Sequence, residues 1–171
     1  DNGKLRGLGI SCYIEACGVA PSKLTLEAGG RGGYYESSTV RINPTGSVTV
    51  FTGSHSHGQG HETVFAQIVH EKLGVPFDSI DVVHGDTGRV PFGVGTVGSR
   101  SLAVGGPALM RSIDKIIDKG KKIAAHLLDT SYDEITFKDG EFSVSNSNKF
   151  IAFSDVVGAA YVPGNYPIET L

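Results

Sequence analysis

The sequence predicts an α+β domain in the order strand, strand, helix, strand, helix, closed by a small C-terminal hairpin. Three observations carry this. Ser37 to Ile42 and Ser47 to Phe51 are strand-like runs on either side of Asn43-Pro44-Thr45-Gly46, a strong hairpin signal. Val64, Phe65, Ile68, Val69 and Leu73 recur at helical spacing, and a short apolar run with Ile80, Val82 and Val83 follows. A second helical pattern starts at Pro107, after a long glycine-rich loop. Two strands joined by a tight turn ahead of the first helix pair antiparallel, which argues against a doubly wound parallel sheet.

The elements follow in order. Residues 7 to 19 alternate loosely and carry Ile10, Tyr13, Ile14 and Val19, so they read as a lead-in strand. A loop comes next, with Gly29, Gly30, Gly32 and Gly33 around Arg31. Beyond the hairpin and a polar stretch to Gly60, a helix is expected over His61 to Leu73, stopped by Gly74 and Pro76. Ser79 to His84 reads as a short buried strand. Pro107 suits a first helical residue, and Leu109, Ile113, Ile116, Ile117, Ile123, Ala124, Leu127 and Leu128 sustain a helix expected to bend or break near Gly120. In the tail, Glu134 to Phe137 and Glu141 to Val144 flank the turn Lys138-Asp139-Gly140, and Ser154 would cap a short helix from Asp155 to near Tyr161. The chain is expected to be one domain over 1–171, with a lead-in strand and loop at 5–36, a core at 37–130, and the hairpin and short helix at 131–171.

Composition narrows the function classes. There are 24 Gly in 171 residues, roughly twice average usage, but only seven Pro and no Gly-X-Y period, which excludes collagen and disorder. Fifteen Lys plus Arg against 18 Asp plus Glu give a net charge of −3 with no long basic run, so nucleic-acid binding has little electrostatic support. No apolar stretch approaches the ~20 residues that span a bilayer, and no secretory signal opens the chain. Cys12 and Cys17 would lie on opposite faces of the lead-in strand, so no disulfide is expected and a cytoplasmic setting fits. The only methionine is Met110 and the sequence starts at Asp1, which suggests a piece of a larger protein.

The glycines concentrate where strands hand over to helices. One loop, Gly53-Ser54-His55-Ser56-His57-Gly58-Gln59-Gly60, leads into the first long helix, and another, from Gly85 to Gly106, leads into the second. Glycine permits close backbone approach to a ligand, and a helix N-terminus offers unpaired N–H groups at the positive end of its dipole. Strand, glycine loop and helix together make an anion cradle. Gln59, Thr96, Ser99 and Ser101 add polar groups, and Arg100 adds a forked cation. Two cradles suit a ligand with a diphosphate or several polar ends.

Other motifs are weaker. Gly93-Val94-Gly95-Thr96-Val97-Gly98 matches the dinucleotide glycine pattern, but Arg89-Val90-Pro91-Phe92 precedes it where a strand should be. His55, His57 and His61, with His84 and Asp86, offer a zinc reading that lacks a recognised ligand spacing. Glu62 would serve the helix N-terminus electrostatically, and Asp86 would shape its own turn.

Tyr34 to Gly46 (YYESSTVRINPTG), Gly53 to Thr63, Ala66-Gln67-Ile68, Leu73-Gly74-Val75-Pro76, Gly85-Asp86-Thr87 and Pro91 to Ser101 together resemble the molybdenum hydroxylases. More narrowly, they resemble the molybdopterin-binding large subunit of the xanthine dehydrogenase, aldehyde oxidase and carbon monoxide dehydrogenase group, in register over about residues 7 to 128. The resemblance implies a two-layer α+β molybdenum cofactor-binding domain with a mixed sheet, binding molybdopterin, commonly as the cytosine dinucleotide. It implies cofactor contacts from His57, Gly58, Gln59 and Gly60 in one loop and from Thr96, Gly98, Ser99, Arg100 and Ser101 in the other. It also implies partners: the remaining domains of the large subunit, and [2Fe–2S] and FAD groups on other domains or subunits.

The family's glutamate base lies in a G-x-G-E type motif far toward the C-terminus. Here Gly93-Val94-Gly95 is followed by Thr96, so no catalytic residue is expected in this chain, and no protein-ligated metal. The reading that follows is cofactor binding within an enzyme that hydroxylates an aldehyde or heterocycle, or oxidises carbon monoxide, with oxygen from water. The 171 residues alone would be inactive. The alternative is a non-catalytic binding module for a phosphorylated small molecule.

Overall fold

A computed structural model describes residues 3–19, 22–162 and 164–166, and of Val19 the backbone alone. The two ends of the expected 1–171 domain therefore lie outside the described residues. Helix α1 (Ser22–Glu27) precedes a hairpin of β1 (Ser38–Ile42) and β2 (Val48–Thr52). The pairing is antiparallel, with Val40 opposite Val50, and the turn closes through Asn43, whose N–H donates to the Ser47 carbonyl at 2.8 Å. Asn43 Nδ2 also reaches Ser47 Oγ at 3.0 Å, which is why this tetrapeptide makes a firm turn.

Helix α2 (His61–Leu73) crosses from β2 to β3 (Ile80–Val83), which pairs parallel to β2. The first sheet therefore runs β1-β2-β3 and is mixed, as expected. Helix α3 (Gly106–Leu127) packs beside α2 and against β1, giving the second layer. Val48, Val50, Phe65, Val69, Leu73, Leu109 and Ile113 are buried between the layers. No helix among the described residues is long and apolar enough to cross a membrane.

Five expectations are corrected. Residues 4–16 form no strand and are exposed, and a single 3-10 turn sits at Cys17–Val19. Strand pairing needs a neighbour, and no described strand lies beside this segment. Helix α3 runs unbroken through Gly120; the glycine is there for packing, since a Cβ would stand 2.4 Å from Phe142 Cζ. The helix is also entered one turn earlier than Pro107, through a π turn at Ser101–Gly105.

In the tail, β4 (Ile135–Lys138) and β5 (Glu141–Val144) make the expected hairpin, but β6 (Phe150–Ala152) adds to β5, so the element is a three-stranded meander. β6 leads straight into α4 (Phe153–Ala160), so Ala152 takes the N-cap position, no side chain caps the helix, and Ser154 lies inside it. Phe137, Phe142 and Phe153 stack this second sheet onto α3, with Phe142 fully buried.

Candidate functional site

Both glycine loops end at the same place. A cleft of about 410 Å³ is lined by Gln59 and His61 from the first and by Thr96, Val97, Gly98, Ser99, Ser101 and Leu102 from the second. Their meeting is enforced behind the cleft, where the backbones of Gly53 and Gly93 cross so closely that a Cβ on either would lie 2.2 Å from the other's Cα. No other residue fits either position. Thr96 Oγ1 then donates to the His55 carbonyl at 2.6 Å, joining the loops a second time.

The first loop owes its path to Gly58 (φ 97°) and Gly60 (φ 74°), both left-handed. Gly60 stands at the α2 N-cap with no side-chain cap, and the first intrahelical bond is Val64 N–H to the Gly60 carbonyl at 3.0 Å. The N–H groups of the first turn thus have no helical acceptor, and that of Glu62 is met by its own carboxylate. The His57 N–H donates to Gln59 Oε1, which commits the amide oxygen and leaves the Nε2 hydrogens for a ligand.

His61, the first residue of α2, is buried, and its Nδ1 has no hydrogen-bond partner. Burial holds its pKa below the ordinary histidine value, opposed by the Glu62 charge and reinforced by neighbouring histidines. The ring is therefore neutral near pH 7. A neutral imidazole lining the cleft with an unmet nitrogen is open to a ligand, whereas the residue pattern had offered His61 as a zinc candidate.

The hydroxyls are spent differently from expectation. Thr96 donates to His55, so Ser101 Oγ, 2.8 Å away, donates to Thr96 Oγ1. Ser99 Oγ, on a residue with φ 51°, donates to Glu15 Oε1 at 2.6 Å. All three protons are used within the protein. These side chains brace the loops and present lone pairs, or must turn to donate.

Arg100 does not line the cleft, so the forked cation expected there is absent from it. Its side chain is fully buried against an equally buried Glu36, with Nη1 to Oε2 at 2.7 Å. Nη1 also reaches the Gly95 carbonyl at 2.5 Å, and Nη2 those of Tyr34 and Tyr35 at 3.1 and 3.0 Å. A guanidinium offers five donors in a fixed plane, and here three bonds, to Glu36, Tyr34 and Tyr35, tie the second loop to the segment before β1 while the fourth, to Gly95, closes the loop on itself. Glu36 is completed by the Ser37 N–H at 3.0 Å and Ser54 Oγ at 3.4 Å. The apparent anion-binding arginine is a structural brace.

Of the nine expected contact residues, Gln59, Thr96, Gly98, Ser99 and Ser101 line the cleft, Gly60 heads the adjoining helix, His57 and Gly58 are exposed in the same loop, and Arg100 lies behind. The other histidines form a chain of contacts: His55 Nδ1 is 3.1 Å from His84 Nδ1, and His84 Nε2 is 2.7 Å from Glu62 Oε1. The backbone N–H of Glu62 and then His84 hold that carboxyl below the ordinary range, which supports its expected place at the helix N-terminus. Asp86 shapes its turn as expected, accepting the Gly88 N–H at 2.9 Å. Among the described residues no set of three His, Cys, Asp or Glu side chains converges to hold a metal ion.

Fold and cleft together define a cofactor-binding domain, in which two glycine loops and a helix N-terminus converge on one cavity. The chain belongs to the molybdopterin cofactor-binding domain family, whose model matches residues 1–170. It is 39% identical over 158 residues to the carbon monoxide dehydrogenase large chain of Hydrogenophaga pseudoflava, covering 92% of this chain and 19% of that protein. It is 36% identical to the nicotine 6-hydroxylase large subunit of Paenarthrobacter nicotinovorans, over 93% of this chain and 20% of that one. Among solved structures, the Cu,Mo carbon monoxide dehydrogenase in its carbon monoxide reduced state matches with a TM-score of 0.82 at 37% identity, over 92% of this chain and 19% of that one. Quinoline 2-oxidoreductase from Pseudomonas putida 86 matches at 0.78 and 33% identity, over 88% and 19%. The chain thus spans about a fifth of the length of these relatives.

Proposed function

We propose that this chain holds a molybdopterin cofactor, as the cytosine dinucleotide, within a molybdenum-dependent oxidoreductase that hydroxylates an aldehyde or heterocycle or oxidises carbon monoxide. The observation that carries it is the shared cleft: loops 41 residues apart at the Thr96 to His55 bond line one cavity holding an unpartnered buried His61 Nδ1. The donor set fits an anionic, multiply polar ligand. Gln59 Nε2, the first-turn N–H groups of α2 other than that of Glu62, and the His61 ring would hold it, with Thr96, Ser99 and Ser101 fixing the second loop. Binding by neutral donors and a helix dipole suits a diphosphate without a cationic side chain in the cleft. Gly58 and Gly98 keep both loops free of bulk.

When bound, the molybdenum centre supplies the redox chemistry that transfers a water-derived oxygen to substrate. The residues of this chain contribute binding and orientation. The proton-abstracting glutamate would lie elsewhere in the subunit, so the 171 residues alone would not turn over. Its partners would be the remaining domains of its own large subunit and the [2Fe–2S] and FAD subunits of a cytoplasmic complex.

The test is Gly58→Val in the full-length subunit. A side chain at φ 97° is strained although the space is empty, so the loop must change path while the buried core stands. Molybdenum per subunit by elemental analysis should fall at least tenfold with an unchanged circular dichroism spectrum. Release of cytidine monophosphate on acid hydrolysis of the wild type identifies the dinucleotide. Full molybdenum occupancy in the variant would refute the role of the loop.

A further inference from the structure

We infer that residues 8–16 are a β-strand that joins a sheet elsewhere in the same full-length polypeptide, outside residues 1–171, with its apolar face covered there. Leu8, Ile10, Cys12, Ile14 and Ala16 alternate with Gly7, Gly9, Ser11, Tyr13 and Glu15. Period two puts every one of the first set on one face. Yet on that face Leu8 is 95% exposed, Ile10 88%, and Ile14 fully so. A contiguous exposed run of this kind marks an interaction surface.

Exposed edge strands normally carry charges, prolines or bulges that discourage pairing. Gly7 to Ile14 contains no charge and no proline, the composition of a strand covered on both faces. Two carbonyls on the outer edge of β1 already have partners. Ser112 Oγ donates to the Ser38 carbonyl at 2.7 Å and Tyr161 Oη to that of Ile42 at 2.5 Å.

The segment is fastened at one end only. Glu15, on the mixed face, accepts from Ser99, and the Gly18 N–H donates to the Gly98 carbonyl at 2.8 Å. The mixed face is thereby held to this domain at Glu15, and the apolar face is left to a partner. That partner is assigned to the same polypeptide because the relatives carry about four-fifths of their length outside the matched region. A tethered strand then meets its sheet at high effective concentration. The inference needs no cofactor in the cleft.

Hydrogen–deuterium exchange of the cofactor-free full-length subunit tests it, with a synthetic peptide of residues 7–16 as the unprotected reference. The amides of residues 8–14 should exchange on the order of 100-fold more slowly in the subunit, independently of its concentration. Ile10→Asp, which places a charge on the apolar face, should return them to the peptide rate while α2 and α3 stay protected. Peptide-like exchange in the wild-type subunit would overturn the assignment. So would protection that rises with concentration, which would make a second copy the partner.

Discussion

Replacing Arg100 with methionine should cost the fold about 3–5 kcal/mol, the penalty for stranding one member of a buried ion pair. The structure shows why the loss is large. Glu36 would stay fully buried, keeping only the Ser37 N–H and a 3.4 Å contact from Ser54. The carbonyls of Gly95, Tyr34 and Tyr35 would lose their donors as well, each worth ~1–3 kcal/mol if left dry. Water entering the space offsets part of that sum. Domains of this size have about 5–15 kcal/mol in total, so the variant should sit near the edge of stability.

Arg100→Lys should recover only part of the loss, because one ammonium cannot reach four acceptors set for a planar fork. The double variant Glu36→Leu/Arg100→Met should be more stable than Arg100→Met, since no charge is then left buried. Urea unfolding followed by circular dichroism measures all three. A loss below about 1 kcal/mol for Arg100→Met, the range of exposed ion pairs, would refute the brace. Full recovery by lysine would refute the geometric part.

Gly120→Ala should destabilise by about 1–2 kcal/mol although alanine is the better helix former, because the new Cβ meets Phe142 in a filled core; thermal unfolding should show Phe142→Leu recovering part of it. His61 gives a pH dependence. Its folded pKa lies below the unfolded value of about 6.5, so the unfolded chain takes up the proton first as pH falls. Its contribution is complete above that value and is lost as pH drops through the folded pKa. Between about pH 7.5 and 5, His61→Gln should lose stability less steeply than the wild type, and equal slopes would contradict a buried neutral ring.

Much of the architecture was legible because it rests on local signals. Asn43 to Gly46, the His61 to Leu73 periodicity and the Lys138 to Gly140 turn each act within a few residues, and each appears where it was read. β6 escaped notice because three residues carry no usable period. Gly120 was misread because a glycine that bends a helix and one that admits a neighbouring ring look alike in sequence. The lead-in strand failed for the opposite reason: its alternation is genuine, but the partner it needs is not among the described strands.

The site divides the same way. Glycine loops ahead of helices drew attention to one place, and five of the named residues line one cleft there. What each side chain does there depended on burial, which spacing does not encode. Arg100 looked like an anion ligand and turned inward to Glu36, while His61 read as one of several zinc candidates and keeps a buried nitrogen without a partner. Glu36 had no signal at all, being one carboxylate in a polar run.

The most direct measurement is an electron-density map of the cofactor-loaded full-length subunit. It should show one cofactor within hydrogen-bond distance of Gln59 or the first turn of α2 and, at the same time, of the 96–101 loop, with Arg100 still on Glu36. Density touching only one of the two loops, or an Arg100 that has left Glu36 to meet the cofactor, would contradict a cleft built by both loops with Arg100 as their brace.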